Sequence, residues 1–191
     1  MNRYNPDIHH RHSIRLKGYD YSQTGAYFVT LCAVDRSCYF EQFLELRQII
    51  DEQWRNIPSR FSNVILDEYV IMPNHLHGIL VIRRDTPCGY PDETVAPANR
   101  MPARGVPTVG EIVGAFKSLC INAWLKVVKT EQINARAKFW QANYYEHVIR
   151  NEGEMECVRE YIINNPLQWE LDRENPAFEG RNKQPTEKWM V

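Results

Sequence analysis

The chain lacks several things, and each gap excludes a class of protein. No apolar run approaches the ~20 residues a membrane span needs, and the charged, histidine-rich start has no apolar signal-peptide core. A cytoplasmic protein is expected, with no membrane partner. The five cysteines (Cys32, Cys38, Cys88, Cys120, Cys157) are odd in number and contain no Cys-x-x-Cys pair, so reduced, packed thiols are expected over disulfides or a zinc knuckle. There is no internal repeat and no low-complexity tract. Nor is there a strong net charge: the sum is −1, which removes the simplest sign of a nucleic-acid binder. The charges are unevenly spread, however. Residues 1–17 and 108–140 lean basic and residues 144–174 lean acidic, so one basic face remains available to phosphates.

At 191 residues, one domain with tails is expected: an arm over 1–25, a core over 26–170 with a Pro/Gly-rich loop insertion at 85–107, and a tail over 171–191. Ala26 to Val34 is rich in aromatic and β-branched residues and reads as a strand. From Gln42 to Trp54, Phe43, Leu46, Ile49, Ile50 and Trp54 recur at helical spacing, with Pro58 as the stop. Val64–Ile71 and His75–Ile82 read as two strands joined by a Met72-Pro73-Asn74 turn. Thr108 and Glu111 form a capping box for a helix to about Val128, with Ile112, Phe116, Leu119, Ala123 and Val127 as its buried stripe. Tyr144–Ile149 reads as a last strand. Asn151 and Glu154 then open a helix to about Asn165, which Pro166 stops. Strand, helix, strand, strand, helix, strand is the order of a ferredoxin-like α+β sandwich with an antiparallel sheet, here with an additional C-terminal helix.

The chemistry gathers at Asn74-His75-Leu76-His77-Gly78. Strand side chains alternate faces, so His75 and His77 point the same way and form half of a metal site. On the last helix Tyr161 and Asn165 are four apart and share a face. If that face lies across the histidine strand, two imidazoles and an amide oxygen can hold Mg²⁺ or Mn²⁺ beside a phenol. The cation would polarise a phosphoryl oxygen and Tyr161 would attack phosphorus in line, forming a phosphotyrosine that keeps the diester's bond energy. A phenol of pKa about 10 needs such activation at neutral pH. Tyr144 and Tyr145 are rival nucleophiles, but they alternate faces on their strand. Lys117 and Arg150 are candidate phosphate contacts. Trp140, Tyr144 and Tyr145 are candidate base-stacking rings. His147 is a candidate helper that orients a ligand, contacts DNA, or simply packs.

In these residues the chain resembles the REP-associated tyrosine transposases, within the wider HUH class of single-strand transposases. The resemblance runs through Tyr69–Gly78, Phe116-Lys117-Ser118, Phe139-Trp140-Gln141, Tyr144–Asn151 and Tyr161–Pro166. It implies a ferredoxin-like core that nicks and rejoins single-stranded DNA, leaving a 5′-phosphotyrosine and a free 3′-hydroxyl. It also implies recognition of hairpins from repetitive extragenic palindromes, with His75 and His77 as the metal pair and Tyr161 as nucleophile. Asn165 stands where the wider class places an amide ligand, usually glutamine. Either a monomer or a homodimer is compatible with the class. Two other functions fit the same residues: a hairpin-DNA binder without turnover, and a metallohydrolase that uses water as its nucleophile.

Overall fold

The computed structural model describes residues 21, 23–83, 106–172 and 174–177. Most of the expected arm, the loop insertion with Cys88, and most of the tail therefore lie outside the described residues. The chain runs β1 (Gly25–Cys32), α1 (Tyr39–Gln42), α2 (Leu44–Arg55), α3 (Ile57–Arg60), β2 (Val64–Ile71), β3 (His75–Ile82), α4 (Val109–Thr130), β4 (Tyr145–Ile149) and α5 (Glu152–Asn164). The strands form one sheet in the order β2-β3-β1-β4, and every neighbouring pair is antiparallel. This is the α+β sandwich expected from the sequence. No helix among the described residues is long and apolar enough to cross a membrane.

The caps form as the sequence predicts. Thr108 Oγ1 accepts from the Glu111 N–H at 3.2 Å while the Glu111 carboxylate accepts from the Thr108 N–H at 2.8 Å, completing the box at the start of α4. Asn151 Oδ1 accepts from the Glu154 N–H at 2.9 Å and opens α5.

Three local readings need correction. The expected helix from Gln42 is broken at Phe43, whose backbone is extended (φ −123°, ψ 100°). Pro58 does not end that helix but sits in the first turn of α3, where a missing N–H costs nothing. The buried stripe of α4 runs through Val109, Ile112, Val113, Phe116, Cys120 and Trp124, so it is rotated from the expected Leu119, Ala123 and Val127. Burying Trp124, whose Nε1 donates to the Arg136 carbonyl at 3.1 Å, outweighs burying smaller side chains.

The two sheet faces differ greatly in depth. One carries α2 and α4 over a large core that includes Tyr27, Leu31, Trp54, Leu76, Phe116 and Trp124. The other carries α5 over a small cluster of Ala26, Phe28, Ile79, Ile149, Val158 and Ile162. Alternation along β3 sends Leu76, Gly78 and Leu80 to the deep side and His75, His77 and Ile79 to the shallow one. Gly78 has its own reason: a Cβ there would lie 2.3 Å from Trp54 Cζ2, so only glycine lets that indole lie against the strand.

Candidate metal and tyrosine site

His75 and His77 are almost fully buried, with 0% and 3% of their surface exposed, and their Nε2 atoms face each other at 2.9 Å. Each ring is oriented through its other nitrogen. His77 Nδ1 lies 2.8 Å from Thr30 Oγ1 on β1. His75 Nδ1 lies 2.8 Å from Asn74 Oδ1. The Asn74 amide is unambiguous, because its Nδ2 donates to the carbonyls of Arg36 and Glu174 at 2.9 and 2.6 Å. Its oxygen therefore faces His75, so Nδ1 of His75 carries the ring proton and Nε2 keeps its lone pair. This outer partner gives His75 the tautomer that a metal ligand needs. Burial, helped by the charge of Arg36, lowers the His75 pKa to about 3 and keeps the ring neutral.

A third group arrives from the start of the expected tail. After α5 the chain does not stop at Pro166; it continues as a 3-10 turn over Asn165–Leu171, with the proline in its first turn. This carries Asp172 to the histidines, with Oδ2 3.6 Å from His75 Nε2. One ligand atom from each of His75, His77 and Asp172 lies within 4.8 Å of the others. The segment is tied down beyond Asp172: Glu174 pairs with Arg36 at 3.2 Å, its carbonyl accepts from Asn74, and Cys32 Sγ donates to its carboxylate at 3.6 Å. Trp169 stacks obliquely over His75 at 6.0 Å. The turn at Asp35 and Arg36 that meets this segment has φ of 56° and 54°, a left-handed pair without glycine. Strain of that kind is retained where surrounding contacts over-determine it, here partly through the Asn74 bond to the Arg36 carbonyl.

Tyr161 reaches the same place from α5. Its hydroxyl is 3.4 Å from His77 Nε2, and its ring packs edge-on against Phe28 at 6.0 Å. Asn165, one turn on, is 4% exposed, and its Oδ1 is buried without a hydrogen-bond partner. A buried amide oxygen of that kind is costly unless something else completes it. The imidazoles of His75 and His77 and the Asp172 carboxylate make a mixed N/O donor set that could hold a divalent ion.

The remaining candidates scatter. His147 meets α5, its Nε2 2.7 Å from Glu154 Oε1. Burial opposes ionisation of Glu154, but the Arg150 N–H and His147 hold its carboxyl below the ordinary value. Arg150 is exposed beyond the end of β4. Lys117 donates to the Gln141 and Asn143 carbonyls at 2.9 and 3.1 Å and lies over the Tyr144 ring, and burial lowers its pKa to about 8. Trp140 packs into the deep core against Phe40, Phe116 and Phe139, so the structure does not bring its ring to the site. Tyr144 and Tyr145 do alternate: Tyr144 joins the deep core and Tyr145 the shallow cluster beside Phe28. Cys32, Cys38, Cys120 and Cys157 are free thiols.

No protein-family model matches the chain. A Haemophilus influenzae protein, described only as uncharacterized, is 40% identical over 181 residues, spanning 90% of this chain and 96% of its own length. Among solved structures, a REP-associated tyrosine transposase bound to a REP hairpin superposes with a TM-score of 0.46 at 18% identity, over 88% of this chain and 74% of that one. A candidate transposase of Deinococcus radiodurans gives 0.45 at 15% identity, over 78% of this chain and 95% of that one.

Proposed function

We propose that this chain, which belongs to one family with that Haemophilus influenzae protein, is a metal-dependent enzyme that nicks single-stranded DNA and transfers the cut strand through Tyr161. The observation that carries the reading is the Tyr161 hydroxyl standing 3.4 Å from Nε2 of a histidine that itself faces a second histidine. A phenol beside two oriented imidazoles suits nucleophilic attack assisted by a metal better than it suits packing. The motif resemblance to REP-associated tyrosine transposases supports hairpin DNA as the substrate.

His75, His77 and Asp172 would hold the ion, with the Asn165 amide oxygen as a further donor. When bound, Mn²⁺ or Mg²⁺ supplies polarisation of a phosphoryl oxygen and lowers the cost of ionising a phenol. Tyr161 oxygen then forms the bond to phosphorus as the P–O3′ bond breaks, and the phenolic proton ends on the departing 3′ oxygen. The phosphotyrosine keeps the diester's energy, so a 3′-hydroxyl can reverse the step without ATP. Asn74 and Thr30 hold the two rings in place through the reaction. Because Tyr161 meets a histidine of its own chain, the geometry favours action within one chain, whether or not two copies associate.

The test is a denaturing gel of the protein with labelled single-stranded hairpin DNA and Mn²⁺, beside Tyr161→Phe and His75→Ala. A protein–DNA adduct lost in both variants is expected. Cleavage without an adduct would replace this reading with a metallohydrolase. Hairpin binding without cleavage would replace it with a DNA-binding role.

A further inference from the structure

Helix α5 is held to the sheet by few apolar contacts: its fully buried side chains are Val158 and Ile162, set against Ala26, Phe28, Ile79 and Ile149. Apolar contact of this kind resists removal of the helix but is non-directional, so it does little to stop the helix sliding or turning on the sheet. Direction comes from charge at the two edges of the sheet. On the β4 edge, His147 and the Arg150 N–H grip Glu154 at 2.7 and 2.6 Å, near the start of the helix. On the β2 edge, Arg159 Nε and Nη2 donate to Asp67 Oδ1 and Oδ2 at 2.9 and 2.8 Å.

The second grip is built into the strand itself. Leu66 pairs with Leu80 but Tyr69 pairs with Gly78, so β2 carries an extra residue at Asp67 and Glu68. A bulge of this sort re-aims a side chain out of the regular ladder. The regular pairing resumes at Tyr69 and brings Val70 opposite His77. The carboxylate that meets α5 and the histidine that meets Tyr161 are thus fixed relative to one another through a few residues of paired strand.

We infer that Asp67 and Arg159 are a positioning pair: the bulge-borne carboxylate clamps α5 so that Tyr161, two residues beyond Arg159, stands at His77 Nε2. The inference rests on the reading of Tyr161 as the nucleophile. A partly exposed ion pair adds little to stability, but a two-pronged guanidinium–carboxylate contact restricts both distance and plane. Arg159 also lies 3.3 and 3.6 Å from Glu152 and Glu156 of its own helix. Loss of Asp67 therefore leaves the arginine with partners on α5, and the helix stays formed while its anchorage is lost. Misplacing a reacting group by about 1 Å costs on the order of 100-fold in rate.

The experiment measures the single-turnover rate of adduct formation on hairpin DNA with Mn²⁺, alongside hairpin affinity and Mn²⁺ affinity, for wild type, Asp67→Ala, Arg159→Lys and the double charge reversal Asp67→Arg/Arg159→Asp. Both single variants are expected to lose about 10- to 100-fold in rate, with both affinities retained. The lysine keeps the charge but not the fork. The double reversal should recover much of the rate. Single variants that react at the wild-type rate would overturn the inference, as would losses that merely follow the unfolded fraction or a reversal that recovers nothing. A wild-type protein that forms no adduct would overturn the reading of Tyr161 and this inference together.

Discussion

The deep and shallow faces of the sheet divide the work of the molecule. Under α2 and α4, Trp54, Trp124, Tyr27, Phe116 and Phe139 are fully buried, and each such side chain contributes on the order of 2 kcal/mol or more by leaving water. Under α5, the largest apolar residue in the cluster is Phe28, and much of the remaining volume is given to His77, Tyr161 and Tyr145. The polar groups of the candidate site, His75, His77 and Tyr161, lie on this thinner side. One face holds the fold so that the other can hold chemistry.

That division predicts effects of different size and kind. Trp54→Ala, on the deep side, should cost about 3 to 5 kcal/mol, read as a fall in the urea midpoint. A loss under about 1 kcal/mol would mean that the deep face is not what carries stability. Asp172→Asn, on the shallow side, should weaken Mn²⁺ binding by at least about tenfold, measured from the free Mn²⁺ signal by electron spin resonance, while the urea midpoint hardly moves. Unchanged metal affinity would remove the carboxylate from the site. A third effect is a pH dependence. Folded, metal-free protein holds His75 with a pKa near 3 against 6.5 when unfolded, so between those values the unfolded chain binds the extra proton. Stability from this group is full above pH 6.5 and is lost as pH falls toward 3. Asp67, held below its ordinary value chiefly by its hydrogen bonds with Arg159, adds a loss in the same direction below about pH 4. Urea midpoints at pH 7, 5.5 and 4.5 should decline, and His75→Gln should decline less steeply.

Much of this was legible in the sequence where the signal was local. The capping residues of α4 and α5, the alternation that puts His75 and His77 on one face, and the four-residue step from Tyr161 to Asn165 each rest on a few neighbours. Non-local features were not legible. Pro166 has the same sequence signature whether it only stops a helix or also opens a 3-10 turn, and the turn is what carries Asp172 to His75. Aromatic and basic composition alone does not reveal that Trp140 packs against Phe40 and Phe116 or that Lys117 donates to two backbone carbonyls. The bulge at Asp67 leaves no mark in β2's composition. The signal for Asp172 is weak, because it stands among many carboxylates in the acidic stretch 144–174.

The Asn74 amide joins three stretches of chain that are far apart in sequence, at Arg36, at His75 and at Glu174. During synthesis these stretches leave the ribosome in that order, the last two separated by the time needed to make about a hundred residues at roughly 5 to 20 per second. The strands bearing the histidines can pair long before the carboxylate exists to meet them. Asp172 and the anchor at Glu174 are among the last described residues to appear. A growing chain therefore carries the two histidines without the carboxylate that completes the candidate cluster until this segment has been made.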